Sequence, residues 1–255
     1  MDIAETIASE IRSRGPMPFG RFMELALYHP TLGYYTGGGD PFGKAGDYYT
    51  NAQMQPVFGR LLAQRLDRWR HDLGLLDRFS VLELGPGRGE TGKEVRRCMR
   101  NVEWIPVDVG DAWPDAPLTG VIFCNEFFDA LPVDSVERRG GRWMERRVGL
   151  SGGGLAWQFT RFRGDPSGLP RIGEGRRIET CSRQAQSVAR MAAALKRGWV
   201  VVIDYGYTRD EIERGGRFPD GSLMSYSSHR GPPAGGWGAG GGAKNGQVDI
   251  SGPGG

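Results

Sequence analysis

The sequence has few of the residues from which disulfide frameworks and metal sites are built. Its three cysteines, Cys98, Cys124 and Cys181, lie far apart, without a CxxC pair or a neighbouring pair of histidines. An odd number of dispersed cysteines with no such spacing indicates neither a disulfide framework nor a zinc site. We therefore expect no bound metal and a reducing compartment, and we predict a cytoplasmic location.

A long apolar run is also missing. No stretch of about 18 apolar residues is present, and shorter runs do not span a membrane. Residues 1–15 contain acidic side chains and lack a continuous apolar segment, unlike a secretory signal or a transit peptide. The sequence therefore predicts neither a membrane span nor a targeting leader.

An excess of one charge is absent as well. The 33 basic and 30 acidic residues give a net charge of +3, and no basic stripe stands out along the chain. Nucleic acids and anionic membranes bind concentrated positive charge, so neither is an expected partner. The composition does not specify an oligomeric state.

Glycine, by contrast, is abundant and unevenly distributed. Of the 42 glycines, 11 lie in residues 231–255, together with 3 prolines. A segment of this composition cannot bury a core, so we predict a disordered tail there. The abrupt change after Arg230 also suggests that a frameshift or a truncation replaced the original C-terminus, and we expect an incomplete C-terminal part.

Periodicity divides the rest of the chain into two predicted domains. Residues 1–72 are expected to form an N-terminal helical cap, which carries a loop rich in Gly and Tyr at 31–50. Residues 73–230 are expected to form an α/β core. Its near-continuous apolar runs are typical of a mostly parallel sheet buried on both faces, and the predicted strands are 79–85, 103–109, 119–125 and 198–206.

Two further patterns complete the predicted core. Helices at about 90–101 and 182–196 supply crossovers between parallel strands, whereas the segment from Val109 to Thr119 is too short for a full helix. The Gly140–Gly141 pair predicts a hairpin turn. We therefore expect an antiparallel insertion at about 133–160.

Residues 79–94, "FSVLELGPGRGETGKE", resemble three different nucleotide-binding loops. A dinucleotide loop needs GxGxxG, but here the spacing is GxGxG and Glu90 stands at the third glycine position. A phosphate-binding loop needs GxxxxGK followed by Ser or Thr, which "GRGETGKE" matches until Glu94 replaces the hydroxyl. Carboxylates beside a polyphosphate would repel it, so an NTPase remains the weaker alternative.

The third alternative is S-adenosylmethionine (SAM), which carries no phosphate and needs neither Lys nor a metal. Its requirements are a glycine turn that the ligand can approach, an acid for its ammonium group and a second acid for its ribose. The sequence offers these at Glu83, at Gly85, Gly87 and Gly89, and at Asp108, which lies at the end of the next predicted strand. The loop therefore favours SAM as the cofactor.

With these motifs in order along the chain, the sequence resembles the MidA / mitochondrial complex I assembly factor family of class I SAM-dependent protein arginine methyltransferases. The similar pieces span about residues 18–206, with a looser match at 217–229. They are "FMELALYHPTLGYYT", "GDYYTNAQMQPVFG", "LELGPGRGE", "CNEFFDALPVD" and "VVVIDYG".

The resemblance implies a class I methyltransferase core, which is Rossmann-like, with an N-terminal helical cap and an inserted substrate-side region. It also implies that "GDYYT", with Asp47 and Tyr48, covers the cofactor. The implied activity is methylation of an arginine in a protein substrate, such as a subunit of respiratory complex I, and the implied output is complex I assembly.

The segment "NEFFDALP" supplies the candidate catalytic residues. A guanidinium group has a pKa near 13.8 and is a poor nucleophile, so carboxylates must hold it and accept its proton. Glu126 and Asp129 are the candidates, and Asn125 would shape the methyl pocket. Asp204, at the end of the last predicted strand, is a further candidate because ligands of open α/β sheets bind at that edge.

Two classes of function remain open at this point. One is an active protein methyltransferase, and the other is a truncated, non-catalytic remnant or assembly-type binding protein. Both retain the SAM loop, because the loop lies far from the atypical C-terminus. Cofactor binding and methyl transfer together discriminate between them.

Overall fold

The computed structural model describes residues 2–37, 56–75, 78–215, 221–226 and 247–250. Strands and helices alternate through the middle of the chain and give way to consecutive strands between residues 134 and 180. The helices are α1 Ile3–Arg14, α2 Phe19–Tyr28, α3 Val57–Leu73, α4 Glu90–Cys98, α5 Ser182–Ala194 and α6 Arg209–Arg214. The strands are β1 Met17–Pro18, β2 Phe79–Leu84, β3 Val102–Val107, β4 Leu118–Asn125, β5 Asp134–Arg139, β6 Arg142–Ser151, β7 Gly154–Arg161, β8 Arg177–Thr180, β9 Leu195–Ile203, β10 Leu223–Tyr226 and β11 Gln247–Ile250.

A four-stranded parallel sheet has the order β3-β2-β4-β9. Its central strands are apolar on both faces because helices cover both sides. On one face, Phe79, Val81 and Phe123 pack with residues of α3 and α4. On the other face, Leu82 and Ile122 belong to a second apolar cluster, which also contains Met191 of α5. The predicted parallel sheet is thereby confirmed.

The second sheet is antiparallel and larger than the predicted hairpin. It has the order β1-β6-β5-β8, and β7 also pairs with β6. The inserted strands therefore reach residue 180 rather than about 160, and the N-terminal region contributes β1. This extension could not be predicted from periodicity, because β1 and β8 are too short to show an alternating pattern.

The N-terminal helices cover one face of the antiparallel sheet. Ile7 and Ile11 of α1 and Phe19 of α2 form one buried cluster with Val133 and Val148. The spacing of Ile7 and Ile11 places them on the same side of α1. Helices α1 and α2 of the predicted cap thus share a core with the insertion, whereas α3 packs on the parallel sheet.

Local signals account for several helix ends. Asp2 caps α1 by accepting a hydrogen bond from the Glu5 N–H at 2.8 Å, as expected for an N-cap side chain. Helix α3 ends at Gly74, whose left-handed backbone (φ 71°) is typical of a helix C-terminus. At α6, Thr208 and Glu211 form a reciprocal capping box.

Several predicted boundaries differ from the observed ones. Strand β3 ends at Val107, so Asp108 follows the strand instead of ending it. Helix α5 ends at Ala194, and β9 begins at once at Leu195, three residues earlier than predicted. The structure describes every residue between Val107 and Leu118 and places no helix there, in agreement with the prediction.

The C-terminal segment contributes a short two-stranded sheet formed by β10 and β11. The sequence predicts no element in the tail, so β11 is an addition to that prediction, and the remaining tail residues lie outside the described ranges. Ser222, just before β10, donates hydrogen bonds to the buried Glu179 carboxylate from its backbone N–H (2.7 Å) and its hydroxyl (2.9 Å). These bonds tie the segment to the antiparallel sheet. Within the described ranges, none of the helices has the length and apolarity needed to cross a bilayer.

Candidate cofactor and active site

The glycine loop lies between β2 and α4, at the carboxyl edge of the parallel sheet. Gly85, Gly87 and Gly89 all have left-handed backbones, with φ of 65°, 53° and 72°. An L side chain rarely adopts this conformation, so glycine is required at each turn position. A Cβ atom on Gly85 would also lie 3.3 Å from the Phe127 ring. The three glycines thus expose backbone that no side chain covers at their own positions, as a closely approaching ligand requires.

The acid before this loop, Glu83, is buried. Its Oε2 accepts a hydrogen bond of 2.7 Å from the Trp104 Nε1, and burial raises the pKa of the Glu83 carboxyl to about 7. A carboxyl with this pKa is partly protonated near neutral pH, and a cation bound nearby would favour its ionised form. Its predicted role as the acid for a ligand ammonium group stays a prediction.

Asp108 lies beside the glycine loop, because β3 is the neighbour of β2. Its exposed carboxylate accepts a hydrogen bond of 2.8 Å from the Val109 N–H, and its own N–H donates to Asp111 Oδ2 at 2.9 Å. This local turn fixes the start of the loop after β3. An exposed carboxylate at this point suits a ligand with two neighbouring hydroxyl groups, as predicted for the SAM ribose.

The candidate catalytic residues follow β4, the strand on the other side of β2. Asn125 ends the strand, and Glu126 has a left-handed backbone with φ 52°. The Glu126 N–H donates to the Ile203 carbonyl at 2.8 Å. Strained backbone of this kind concentrates at functional sites. The structure thus brings Asn125, Glu126 and Asp129 to the same edge as the glycine loop.

Asp204 holds this loop in place from the end of β9. Its Oδ2 accepts the Phe128 N–H at 2.7 Å, and its Oδ1 accepts the Tyr205 N–H at 2.8 Å. Burial raises the pKa of the Asp204 carboxyl, whereas these backbone hydrogen bonds oppose the rise. Tyr205, which the sequence analysis did not single out, donates its hydroxyl to Glu126 Oε1 at 3.4 Å.

The helical cap reaches the same edge through the end of α2. The Tyr28 hydroxyl donates to the Ala130 carbonyl at 2.7 Å. Burial raises the pKa of Tyr28, and the negative charges of Asp129 and Asp108 raise it further. No sequence signal distinguishes Tyr28 from the other tyrosines of the cap, because its role depends on a contact 102 residues away along the chain.

The remaining predicted cofactor residues, Asp47 and Tyr48, lie outside the described residues. The phosphate-loop alternative gains no geometric support, since the Lys93 Nζ donates to the Arg88 carbonyl at 3.2 Å and the Glu94 carboxylate is paired with Arg60 and Arg97. Among the described residues, no group of three or more His, Cys, Asp and Glu side chains could hold a metal ion.

Comparison with known proteins defines the class of this fold and site. Residues 93–251 match a family described as putative S-adenosyl-L-methionine-dependent methyltransferases, and the chain belongs to this family. A crystal structure from Burkholderia thailandensis, bound to S-adenosyl-homocysteine (SAH), superposes with a TM-score of 0.85 at 26% identity. The match covers 98% of this chain and 73% of that one. The predicted family, fold class and cofactor are confirmed.

Curated relatives are also similar to this chain, and they are named as arginine methyltransferases. The mitochondrial protein arginine methyltransferase NDUFAF7 homolog of Drosophila melanogaster is 25% identical over 271 residues, or 83% of this chain and 62% of the relative. The NDUFAF7 protein of Danio rerio is 25% identical over 273 residues, or 84% and 64%. The human protein is 34% identical over 89 residues, or 34% and 20%. This chain thus spans less than two thirds of the length of these relatives.

The same comparison corrects the predicted location. The relatives from Drosophila, Danio and human are all named mitochondrial, so the prediction of a cytoplasmic location is wrong. It depended on scarce cysteine and on the absence of a leader pattern. A reducing environment is compatible with several compartments, and cysteine usage does not distinguish among them.

Proposed function

We propose that this protein binds SAM at the carboxyl edge of the parallel sheet and transfers its methyl group to an arginine of a protein substrate. The observation that carries the proposal is the convergence of three elements at that edge. They are the glycine loop, the Asp108 carboxylate and the Glu126–Asp129 segment. The similarity to proteins named arginine methyltransferases supports the arginine substrate.

The residues of this edge fit a cofactor with a cationic sulfonium and no phosphate. The loop from Gly85 to Gly89 offers open backbone, and Asp108 offers an acceptor for ribose hydroxyls. SAM supplies a methyl carbon already activated by the sulfonium, so catalysis requires chiefly that the nucleophile be positioned in line with it. The Glu126–Asp129 segment, two strand ends away from Asp108, is the part of the chain that would position it.

Carboxylates of that segment would hold the arginine. Planar guanidinium groups bind carboxylates through two parallel hydrogen bonds, which fix the direction of one terminal nitrogen. In the transfer, a nitrogen–carbon bond forms as the carbon–sulfur bond breaks. Glu126 or Asp129 accepts the proton released from that nitrogen. Asp204 and Tyr205 act as positioning residues, because they bind the segment's backbone N–H of Phe128 and the carboxylate of Glu126.

We also propose the kind of protein that is methylated, and this step rests on the resemblance to the family. The matched family motifs and the NDUFAF7 names of the relatives favour a protein involved in respiratory complex I assembly, such as a subunit of the complex. An acidic edge that binds a guanidinium group is consistent with an arginine in an accessible segment of such a protein.

Calorimetric titration with SAH tests the cofactor site. We expect Gly87→Val to weaken SAH binding at least about tenfold, because valine is a strong outlier at positive φ and would enter the ligand's space. Gly152→Val is a matched control, since Gly152 also has a left-handed backbone (φ 58°) but lies in an exposed turn, where an added Cβ would have no neighbour within 4 Å. ATP with magnesium serves as a parallel ligand. Binding of ATP but not SAH would refute the proposal.

Methyl transfer from labelled SAM to proteins of a cell extract tests the catalytic segment. We expect Glu126→Gln and Asp129→Asn to lower methylarginine formation about 100-fold or more, the usual contribution of a positioned proton acceptor, with unchanged SAH affinity. Asp210→Asn on the exposed helix α6 is the control. SAH binding without any transfer by the unmodified protein would favour the non-catalytic alternative, and label on residues other than arginine would reject the proposed substrate.

A further inference from the structure

A basic pocket lies at the far end of the antiparallel sheet from the active-site edge. Its cavity volume is about 810 Å³, within the range of pockets that bind small ligands or peptide side chains. Four arginines and two aromatic residues dominate its lining. The lining residues are Arg138, Arg142, Trp143, Arg161, Phe162, Arg163, Gly164 and Pro166.

The pocket is a product of strand register. Arg138 on β5 pairs with Trp143 on β6, and the Phe162 N–H at the end of β7 donates to the Trp143 carbonyl at 3.2 Å. The three residues therefore form one row across the sheet, with side chains on the face opposite to the helical cap. The Arg138 guanidinium lies 5.5 Å from the centroid of the Trp143 ring, and this contact helps to fix its orientation.

The arginines of this pocket are not paired with acids. In the part of the chain that the structure describes, Arg138, Arg142, Arg161 and Arg163 form no ion pair. Two acids lie nearby, but both are engaged locally. Glu174 accepts hydrogen bonds from the Gly140 and Gly141 N–H groups. Asp165 accepts two hydrogen bonds from Ser167.

Other arginines of the same sheet behave differently. Arg139 and Arg146 pair with Glu137 at 3.3 and 3.6 Å, and Arg147 pairs with Glu145 at 3.0 Å. These three arginines are thus paired with acids of the same sheet, whereas the arginines around the pocket have no ion pair. Like charges that line one pocket repel one another, so an anionic partner would relieve this repulsion.

We infer that this pocket binds an acidic segment of the protein substrate, and the inference rests on the proposed function. Clustered arginines recognise acidic motifs through charge-assisted, paired hydrogen bonds. Aromatic walls suit the methylene groups of a glutamate or aspartate segment, whereas the strongly acidic active-site edge suits the target arginine. The two sites would thus bind oppositely charged parts of one polypeptide.

The geometry sets a minimum spacing between those parts. Strand β5 runs from the active-site segment to the pocket and has six residues, which span about 20 Å at roughly 3.3 Å per residue. An extended substrate needs at least about six residues to cover the same distance. We therefore expect the acidic segment to lie six or more residues from the methylated arginine.

Fluorescence anisotropy with a labelled oligoglutamate peptide tests the pocket without requiring methyl transfer. The variant is the double substitution Arg138→Glu and Arg163→Glu, because Arg138 belongs to the row of side chains that faces the pocket and Arg163 is exposed beside it. We expect peptide affinity to fall at least about tenfold, and to fall with added salt in the unmodified protein. Equal affinity in the variant would overturn the inference.

A matched control is Arg68→Glu with Arg100→Glu, which makes the same charge change at exposed positions flanking the parallel sheet. We expect this control to retain peptide binding, and an equal loss in the control would reduce the effect to net charge and overturn the inference. An RNA homopolymer that binds more tightly than oligoglutamate through the same arginines would also overturn it. SAH titration of each variant separates the two proposals, because loss of SAH binding concerns the proposed function alone.

Discussion

The two sheets of this protein bury their strands in different ways. In the parallel sheet, the central strands β2 and β4 are apolar on both faces, and their polar groups are concentrated where the strands end. In the antiparallel sheet, one face packs against the helical cap, and the other carries charged residues such as Arg147 and Glu145. A strand covered on both sides can expose functional side chains only at its ends, whereas a strand covered on one side can also expose them along its open face.

Because of this difference, acidic and basic side chains are concentrated in different parts of the molecule. Carboxylates collect at the carboxyl edge of the parallel sheet, where Asp108, Glu126, Asp129 and Asp204 follow β3, β4 and β9. Arginines without an acidic partner collect at the far end of the antiparallel sheet. A chain of nearly balanced charge thus presents two regions of opposite charge, so net charge alone is a poor guide to its partners.

The largest expected effect comes from removing one large core side chain from each sheet. Phe123 lies in the core of the parallel sheet and Phe19 in the core shared by the cap and the antiparallel sheet, and both are almost completely buried. We expect Phe123→Ala and Phe19→Ala each to lower the free energy of unfolding by about 3–5 kcal/mol. Chemical denaturation measures this change. Only Phe123→Ala should also weaken SAH binding, and loss of SAH binding in a folded Phe19→Ala variant would contradict the division into two cores.

The next largest effect concerns the pH dependence of the free energy of unfolding that arises from Glu83 in the parallel sheet. Its pKa is about 7 in the folded protein against 4.5 for the unperturbed group, because burial disfavours the charged form. The folded state therefore binds more protons between these values, and its stability falls as the pH rises from about 4.5 to about 7. We expect Glu83→Gln to remove this loss, up to about 3 kcal/mol at pH 8, as measured by denaturation at several pH values.

Glu103→Gln provides a control of the opposite sign on the neighbouring strand. The Arg78 side chain lowers the pKa of the Glu103 carboxyl by hydrogen bonding, so its contribution to stability is present above the unfolded pKa and is lost as the pH falls. The two substitutions should thus change the pH profile in opposite directions. A flat difference between unmodified protein and Glu83→Gln across this pH range would show that Glu83 is ionised in the folded state.

A smaller effect is expected from weakening the hydrogen bonds that hold the Glu126–Asp129 segment. Asp204→Asn keeps the shape of the side chain but replaces one acceptor oxygen by a donor, so either the Phe128 or the Tyr205 N–H loses its partner. We expect a loss of about 1–3 kcal/mol in stability and a lower rate of methyl transfer. Glu174→Gln is the matched control, because Glu174 also binds two backbone N–H groups, but at the hairpin of the antiparallel sheet. The control should leave methyl transfer unchanged.

The smallest effect tests a link between the two regions. Arg183 on α5 pairs with Glu24 on α2 at 2.8 Å, and both side chains are partly exposed. We expect Arg183→Ala to change the free energy of unfolding by no more than about 1 kcal/mol, since solvent screens such pairs. Arg214→Ala, which removes an exposed pair within α6, is the control. A much larger loss for Arg183→Ala would mean that the regions are coupled through this pair.

Sequence patterns predicted the parallel sheet well because its signals are local. Continuous apolar runs marked β2, β4 and β9, and the glycine spacing marked the loop after β2. The antiparallel sheet was predicted only in part. Met17–Pro18 and Arg177–Thr180 are too short to carry a period-2 signal, so their membership depends on pairing with residues far along the chain.

The residues of the candidate site were likewise predicted only in part. Asp108 could be proposed because it ends an apolar run, and Glu126 and Asp129 could be proposed because the family resemblance implies that their segment lies beside the departing methyl group. Tyr28 and Tyr205 could not be distinguished from other tyrosines, since their relevance depends on the Ala130 carbonyl and the Glu126 carboxylate that they contact in the folded chain. The basic pocket was missed for the same reason, because its arginines come from three strands and form no stripe in the sequence.

The resemblance of its motifs indicated the family, and the sequence by itself determined the class of fold and the edge of the sheet at which a cofactor would bind. These features follow from short-range rules, namely the apolarity of buried strands, the left-handed turns that only glycine adopts freely, and the acids placed directly after strands. Tertiary structure alone decided the burial of Glu83 and its hydrogen bond from Trp104, the anchoring of the Glu126–Asp129 segment by Asp204 and the assembly of the arginine pocket. Each depends on which strands become neighbours, because pKa values, hydrogen-bond partners and surface charge are set by groups distant in sequence and close in space.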